Sequence, residues 1–112
     1  MPKGVQIEEI HIGDGLIAEK WSTVLVRYDG YLNRGEAFQK NIKHRFNLAY
    51  RDVFAGLRYG VMGMRVGGRR RLRIKPYLAY GEQGVPGIIP PNATLIIDVD
   101  LLEVETELEK DE

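Results

Sequence analysis

The spacing of apolar side chains divides the chain into segments of two kinds. Val5-Gln-Ile-Glu-Glu-Ile-His-Ile12 alternates apolar and polar residues, the two-residue period of a half-buried strand, and Gly13-Asp-Gly15 supplies a turn to end it. Val24-Leu-Val-Arg-Tyr-Asp-Gly-Tyr-Leu32 is rich in β-branched and aromatic residues and leads into Asn33-Arg-Gly35, which predicts a strand turning into a hairpin. Phe38 and Phe46-Asn-Leu48 predict further short strands. Arg69-Arg-Arg-Leu-Arg-Ile-Lys75 alternates again, and Thr94 to Val104 carries the last strong strand pattern.

From Asp52 the period lengthens. Val53, Phe54, Leu57, Val61 and Met64 recur at three- and four-residue intervals, which predicts one helix with Asp52 at its N-cap. Gly56, Gly60 and Gly63 lower its propensity and Val66-Gly-Gly68 ends it, so it must be short. Antiparallel strands with one short helix place the chain in the α+β class, the helix covering one face of a strongly curved sheet. Between Lys75 and Thr94 lies a long loop rich in proline and glycine. A loop of this length inside a compact domain is usually functional or disordered, and its tyrosine and isoleucine side chains favour function.

Composition sharpens this outline without redirecting it. At 112 residues and 44% hydrophobic content, the chain can build one core without metals or disulfides. We expect one domain over residues 1–105 and a frayed acidic tail over 106–112. Lysine plus arginine equals aspartate plus glutamate at 16 each, so overall charge advertises neither nucleic acid nor an anionic membrane. No apolar run resembles a signal peptide or reaches membrane-spanning length, and no membrane partner is expected. Zero cysteines suit a reducing cytoplasm, the expected location.

Most reactive chemistries are poorly supported. Ser22 is the only serine, and neither His11 nor His44 lies in a nucleophile–base signature. The histidines lack the paired spacing of a zinc site, and Asp98, Asp100, Glu103 and Glu105 lie on a strand pattern and tail instead of a calcium loop, so no metal or cofactor is expected. Arg69, Arg71, Arg73 and Lys75 share one face of a strand, which could form a basic stripe for RNA. Asp98 and Asp100 alternate in the same way on a strand that could pair with it. Cross-strand charge pairs then account for the arginines, and no nucleic-acid partner is expected. What remains is an aromatic and aliphatic set, Tyr28, Phe38, Phe46, Val53, Phe54, Leu57, Tyr80, Ile88 and Ile89, which could be core or could line an apolar ligand cavity.

Ordered motifs carry a resemblance over nearly the whole chain. They are Gly13-Asp-Gly15, Val26-Arg-Tyr-Asp-Gly30, Gly35-Glu-Ala-Phe38, Val53-Phe-Ala-Gly-Leu57, Met62-Gly-Met-Arg-Val-Gly67, Leu78-Ala-Tyr-Gly81 and Gly87-Ile-Ile-Pro-Pro-Asn-Ala-Thr-Leu95. In this order the sequence resembles the FKBP-type peptidyl-prolyl cis-trans isomerases, as a small single-domain member. The resemblance implies a curved antiparallel sheet, a half-barrel, wrapped around one short helix, with an active-site pocket between them. It implies catalysis of rotation about X-Pro bonds, assistance to protein folding, and a monomer that takes proline-containing polypeptides and macrolides such as rapamycin.

Carried over residue by residue, the resemblance implies that Tyr80, Phe54, Tyr28 and Phe38 serve catalysis. Gln39, Phe46, Val53, Leu57, Ile88, Ile89 and Ile97 would bind substrate, Phe46 in a more structural part. The Tyr80 hydroxyl and the Phe54 backbone N–H would hold substrate carbonyls. The sequence departs from the family pattern at four places: Gln39 replaces an aspartate, His44 an aromatic residue, Leu57 a tryptophan and Ile97 an aromatic residue. The segment from Gln39 to Arg45 is also shortened. Gln39, His44 and Ile97 lead us to expect reduced activity, and they leave open a proline-recognising or chaperone-like module with weak or no isomerase activity.

Overall fold

The computed structural model describes residues 3–105; the expected fraying of 106–112 lies outside the described residues. Five strands form one antiparallel sheet: β1 (Val5–His11), β2 (Thr23–Leu32), β3 (Ala37–Asn47), β4 (Arg69–Ile74) and β5 (Leu95–Glu105), in the order β1-β4-β5-β2-β3. The sheet is open, with β1 and β3 at its edges. The one α-helix among the described residues, α1 (Ala55–Val61), lies against β4, β1 and β5. This is the curved sheet with one short helix that the sequence predicts.

The two-residue alternation determines which face is buried. Leu72 and Ile74 of β4, Leu95, Ile97 and Val99 of β5, and Val24 and Val26 of β2 are wholly buried together with Leu57 and Val61 of α1. Burying a side chain of this size contributes about 1.5–3 kcal/mol, which is how a seven-residue helix too short to persist alone is held in place. Gly56 and Gly60 make the contact close. A Cβ at Gly60 would stand 2.3 Å from Leu72 Cδ1, and one at Gly56 the same distance from Ile74 Cγ2. Residues that weaken the helix in isolation therefore set its seating on β4.

The outward face carries the charge pairs expected from the sequence. Arg71 Nε donates to Asp98 Oδ1 at 2.7 Å, and Arg69 Nη1 to Asp100 at 3.2 Å. Arg27 of β2 also bonds Asp100. Arg70 points the other way. It is buried, grips Glu9 through two parallel bonds of 3.0 and 2.9 Å, and donates from Nη1 to the carbonyls of Gly60 (2.9 Å) and Met62 (3.0 Å) at the end of α1. Helix ends leave carbonyls without internal partners, and here a side chain from the sheet supplies the donors.

Two local expectations are corrected. Asp52 does not cap the helix; Phe54 occupies the N-cap with extended backbone and no side-chain cap bond, and α1 begins at Ala55. The two short strands expected around Phe38 and Phe46 are one strand of 11 residues. Its alternation is broken by a bulge where Asn41 takes a φ of 54° and donates its N–H to Asp29 Oδ1 at 2.7 Å. That bond, with Lys40 and Arg27 nearby, holds the Asp29 carboxyl below its ordinary range.

Candidate active site

The loop after β4 is closely tied to itself. Pro76 opens a one-turn 3-10 helix (Pro76–Leu78), where its fixed φ suits the first position and its missing N–H costs nothing. Gly81 N–H then bonds Pro76 O at 2.8 Å, Asn92 N–H bonds Gly81 O at 2.9 Å, and Val85 and Ile89 exchange two bonds of 2.8 Å. Gly84 sits where no other residue fits without strain: its φ is +62°, and a Cβ would lie 2.3 Å from the Ile89 carbonyl oxygen. This folding places Ile89 in the core while Tyr80 and Ile88 remain 38% and 54% exposed.

Tyr80 lies over the start of the helix. Its ring centroid is 5.3 Å from that of Phe54, with the planes tilted at 50°, a favourable aromatic geometry. Val53 and Phe54 are half-buried against the core. Among the described residues, neither the Tyr80 hydroxyl nor the Phe54 N–H is engaged in a hydrogen bond. The free N–H follows from helix geometry, because the first N–H groups have no carbonyl a turn earlier to meet.

Further expected site residues lie on β2 and β3. Tyr28 is buried, and its hydroxyl donates to Gln39 Oε1 at 3.0 Å. The amide therefore supplies the acceptor that keeps the Tyr28 ring in place. Phe38 closes over Gly30, whose notional Cβ would be 2.6 Å from the ring, and Gly30 is paired with Ile97 of β5. Phe46 is buried and its ring stacks on that of His44 at 5.5 Å.

These placements sort the expected site residues. Tyr28 and Ile89 belong to the core, Phe38, Val53 and Phe54 pack against it, Gln39 accepts a bond from Tyr28, and Tyr80 packs on Phe54. Leu57 and Ile97 are wholly buried and Phe46 nearly so, within the core itself. Ile88 stands outside the core. Alternation puts Arg70 on the apolar face of its strand with Leu72; what sequence reasoning left unassigned is its partners, Glu9 and the carbonyls at the end of α1. Among the described residues, no group of three or more His, Cys, Asp or Glu side chains is placed to hold a metal, and no helix is long and apolar enough to cross a membrane.

Burial raises the Tyr28 hydroxyl above the ordinary tyrosine range, with the nearby Tyr80 adding to it, and burial does the same for Tyr80. Both stay protonated donors well past neutrality. Any activity that depends on them is expected to be level from about pH 7 to 9 and to fall only above the ordinary tyrosine value of about 10. A pH profile of kcat/KM checks this; a half-maximal point below pH 9 would contradict it.

Residues 15–102 match the family described as FKBP-type peptidyl-prolyl cis-trans isomerase. The chain is 42% identical over 104 residues to FK506-binding protein 4 of Dictyostelium discoideum and 46% identical over 106 residues to FK506-binding protein 4 of Emericella nidulans. These alignments take in 91% and 92% of the chain but only 29% and 22% of the relatives' lengths. Among solved structures, a peptidyl-prolyl cis-trans isomerase from Pseudomonas syringae pv. tomato superposes with a TM-score of 0.82 at 30% identity, covering 93% of this chain and 77% of that one. FkpA from Escherichia coli superposes with a TM-score of 0.77 at 37% identity, covering 93% and 53%.

Proposed function

Since this chain belongs to the FKBP-type peptidyl-prolyl cis-trans isomerase family, we propose that it accelerates rotation about X-Pro bonds in the concavity beneath Tyr80, and so assists protein folding. The observation that carries this reading is the Phe54–Tyr80 pair, whose packed rings bring two unengaged donors into one neighbourhood. Rotation about a peptide bond is opposed by amide resonance, a barrier of about 18–20 kcal/mol. No covalent step is needed to lower it. An apolar site replaces water around the twisting amide, and donors that hold the flanking carbonyls favour the twisted form over either planar one.

In this reading the Tyr80 hydroxyl and the Phe54 N–H hold substrate carbonyls, while Tyr28, Phe38, Val53 and Ile89 surround the proline ring. Leu57 and Ile97 shape the base, Phe46 braces the wall, and Ile88 guides the chain at the rim. Gln39 positions Tyr28. Macrolides such as rapamycin, which present a similar ring and carbonyls, would occupy the same hollow. The reading further takes the protein to act as a monomer in the cytoplasm.

Tyr80→Phe removes one donor and keeps the ring. It is expected to lower kcat/KM about three- to tenfold without abolishing activity, since one neutral hydrogen bond contributes roughly 0.5–1.5 kcal/mol. Amide NMR shifts on titration with a Leu-Pro peptide test the location: they should cluster at Phe54, Tyr80 and Ile89. Shifts confined to the outer face of the sheet would refute it.

A further inference from the structure

The outward face of the sheet is charge-paired at one end and unpaired at the other. Along β4, Arg69 lies opposite Asp100 and Arg71 opposite Asp98, each in an ion pair. Two residues on, the acidic alternation of β5 stops. Arg73 lies opposite Ile96 on β5 and Gln6 on β1, and its guanidinium meets only the neutral Asn33 side chain. Lys75 comes next, its N–H bonded to Gly4 O at 2.8 Å. Among the described residues, Lys3, Arg73 and Lys75 form no ion pair. All three are exposed.

These cations line a continuous depression. One groove of about 190 Å³ is bounded by Lys3, Gln6, Arg73, Lys75 and Thr94, and a second of about 340 Å³ continues it past Arg73 to Glu8, with Ile96 at its base. Both lie beside β1, an edge of the sheet, so an extended chain could add its backbone to that edge while its side chains reach the grooves.

We propose that this outer groove is a docking site for an extended acidic peptide segment of a partner protein, distinct from the proline site. Carboxylates on alternate residues would meet Arg73 and Lys75, and an apolar side chain would cover Ile96. Glu8 at the far end of the groove repels a continuous phosphate chain and tolerates a peptide whose charges stop short of it. The inference does not depend on the isomerase reading.

A fluorescein-labelled, proline-free heptapeptide containing four glutamates provides the test, by fluorescence anisotropy on the whole protein at low salt. Binding is expected, with amide shifts at Gln6, Arg73 and Thr94. It should weaken about tenfold in the double variant Arg73→Gln/Lys75→Gln and fade in about 0.5 M salt, where screening is nearly complete beyond a few ångströms. Arg65→Gln, an exposed arginine elsewhere, should leave it unchanged. The proposal is overturned if the peptide does not bind, if the double variant binds as well as the parent, or if a single-stranded oligonucleotide occupies the groove more tightly.

Discussion

Leu57→Ala is expected to lower the unfolding free energy by about 3 kcal/mol, the middle of the range for emptying a fully buried leucine site. Leu57 has no exposed surface and lies on the face of α1 that packs into the sheet. Its removal costs both the transfer energy of the side chain and the cavity left behind. The neighbours have little freedom to collapse, because Gly56 and Gly60 already seat the helix against Ile74 and Leu72. Natural domains hold only about 5–15 kcal/mol in total, so the variant should melt more than about 10 °C below the parent. It should also bind a proline peptide more weakly when measured well below its melting point, since the helix that Phe54 caps would be seated less firmly. Leu57→Met, nearly equal in volume, should cost less than about 1.5 kcal/mol. Urea unfolding of both variants checks the pair; equal midpoints would mean that Leu57 is not packed into the core.

Arg70→Ala is expected to cost about 3 kcal/mol or more by a different route. The guanidinium is buried and supplies donors to Glu9 and to the Gly60 and Met62 carbonyls. Its loss leaves two carbonyls at a helix end without donors, each worth about 1–3 kcal/mol where water cannot replace the lost partner. Glu9 is itself 44% exposed, so its share is discounted for solvent. Arg70→Lys keeps the charge but not the planar fork, and should recover only part of the loss. Because Arg70 lies at the far end of α1 from Phe54, kcat/KM of the folded variant should change little. Denaturation midpoints and a rate measured at low temperature separate these two effects.

The contrast between these two residues shows where the sequence could be read directly. Leu57 lies in the three- and four-residue period that announces the helix. Arg70 sits in a run of arginines whose alternation reveals the paired outer face and puts this one on the apolar face, and only the register of β1 against β4 shows that it meets Glu9 there. The arginine–aspartate pairs were legible because both partners alternate within their own strands. The continuity of β3 was not, because the bulge at Asn41 depends on a carboxylate 12 residues away. The start of α1 was misplaced since Asp52 has the right chemistry for a cap but the chain stays extended through Phe54.

The site divides in the same way. The loop from Tyr80 to Pro91 reads from composition as functional, and its fold follows from local turns. The wall made by Tyr28, Phe38 and Gln39 is assembled by strand register, which no short motif encodes. Gln39 reads from sequence as the loss of a carboxylate, yet the Tyr28–Gln39 bond shows an amide supplying the acceptor. The expectation of reduced activity therefore rests on the reshaping at His44 and Ile97.

The central claim is catalysis at this site, and a protease-free isomerisation assay on a short Leu-Pro peptide tests it most directly. Uncatalysed X-Pro exchange takes tens to hundreds of seconds at 25 °C, which leaves a wide window for detecting acceleration. The predicted result is exchange well above the buffer rate, reduced but not lost in Tyr80→Phe. Exchange at the buffer rate while the peptide still binds would contradict it, leaving a module that recognises proline without turning it.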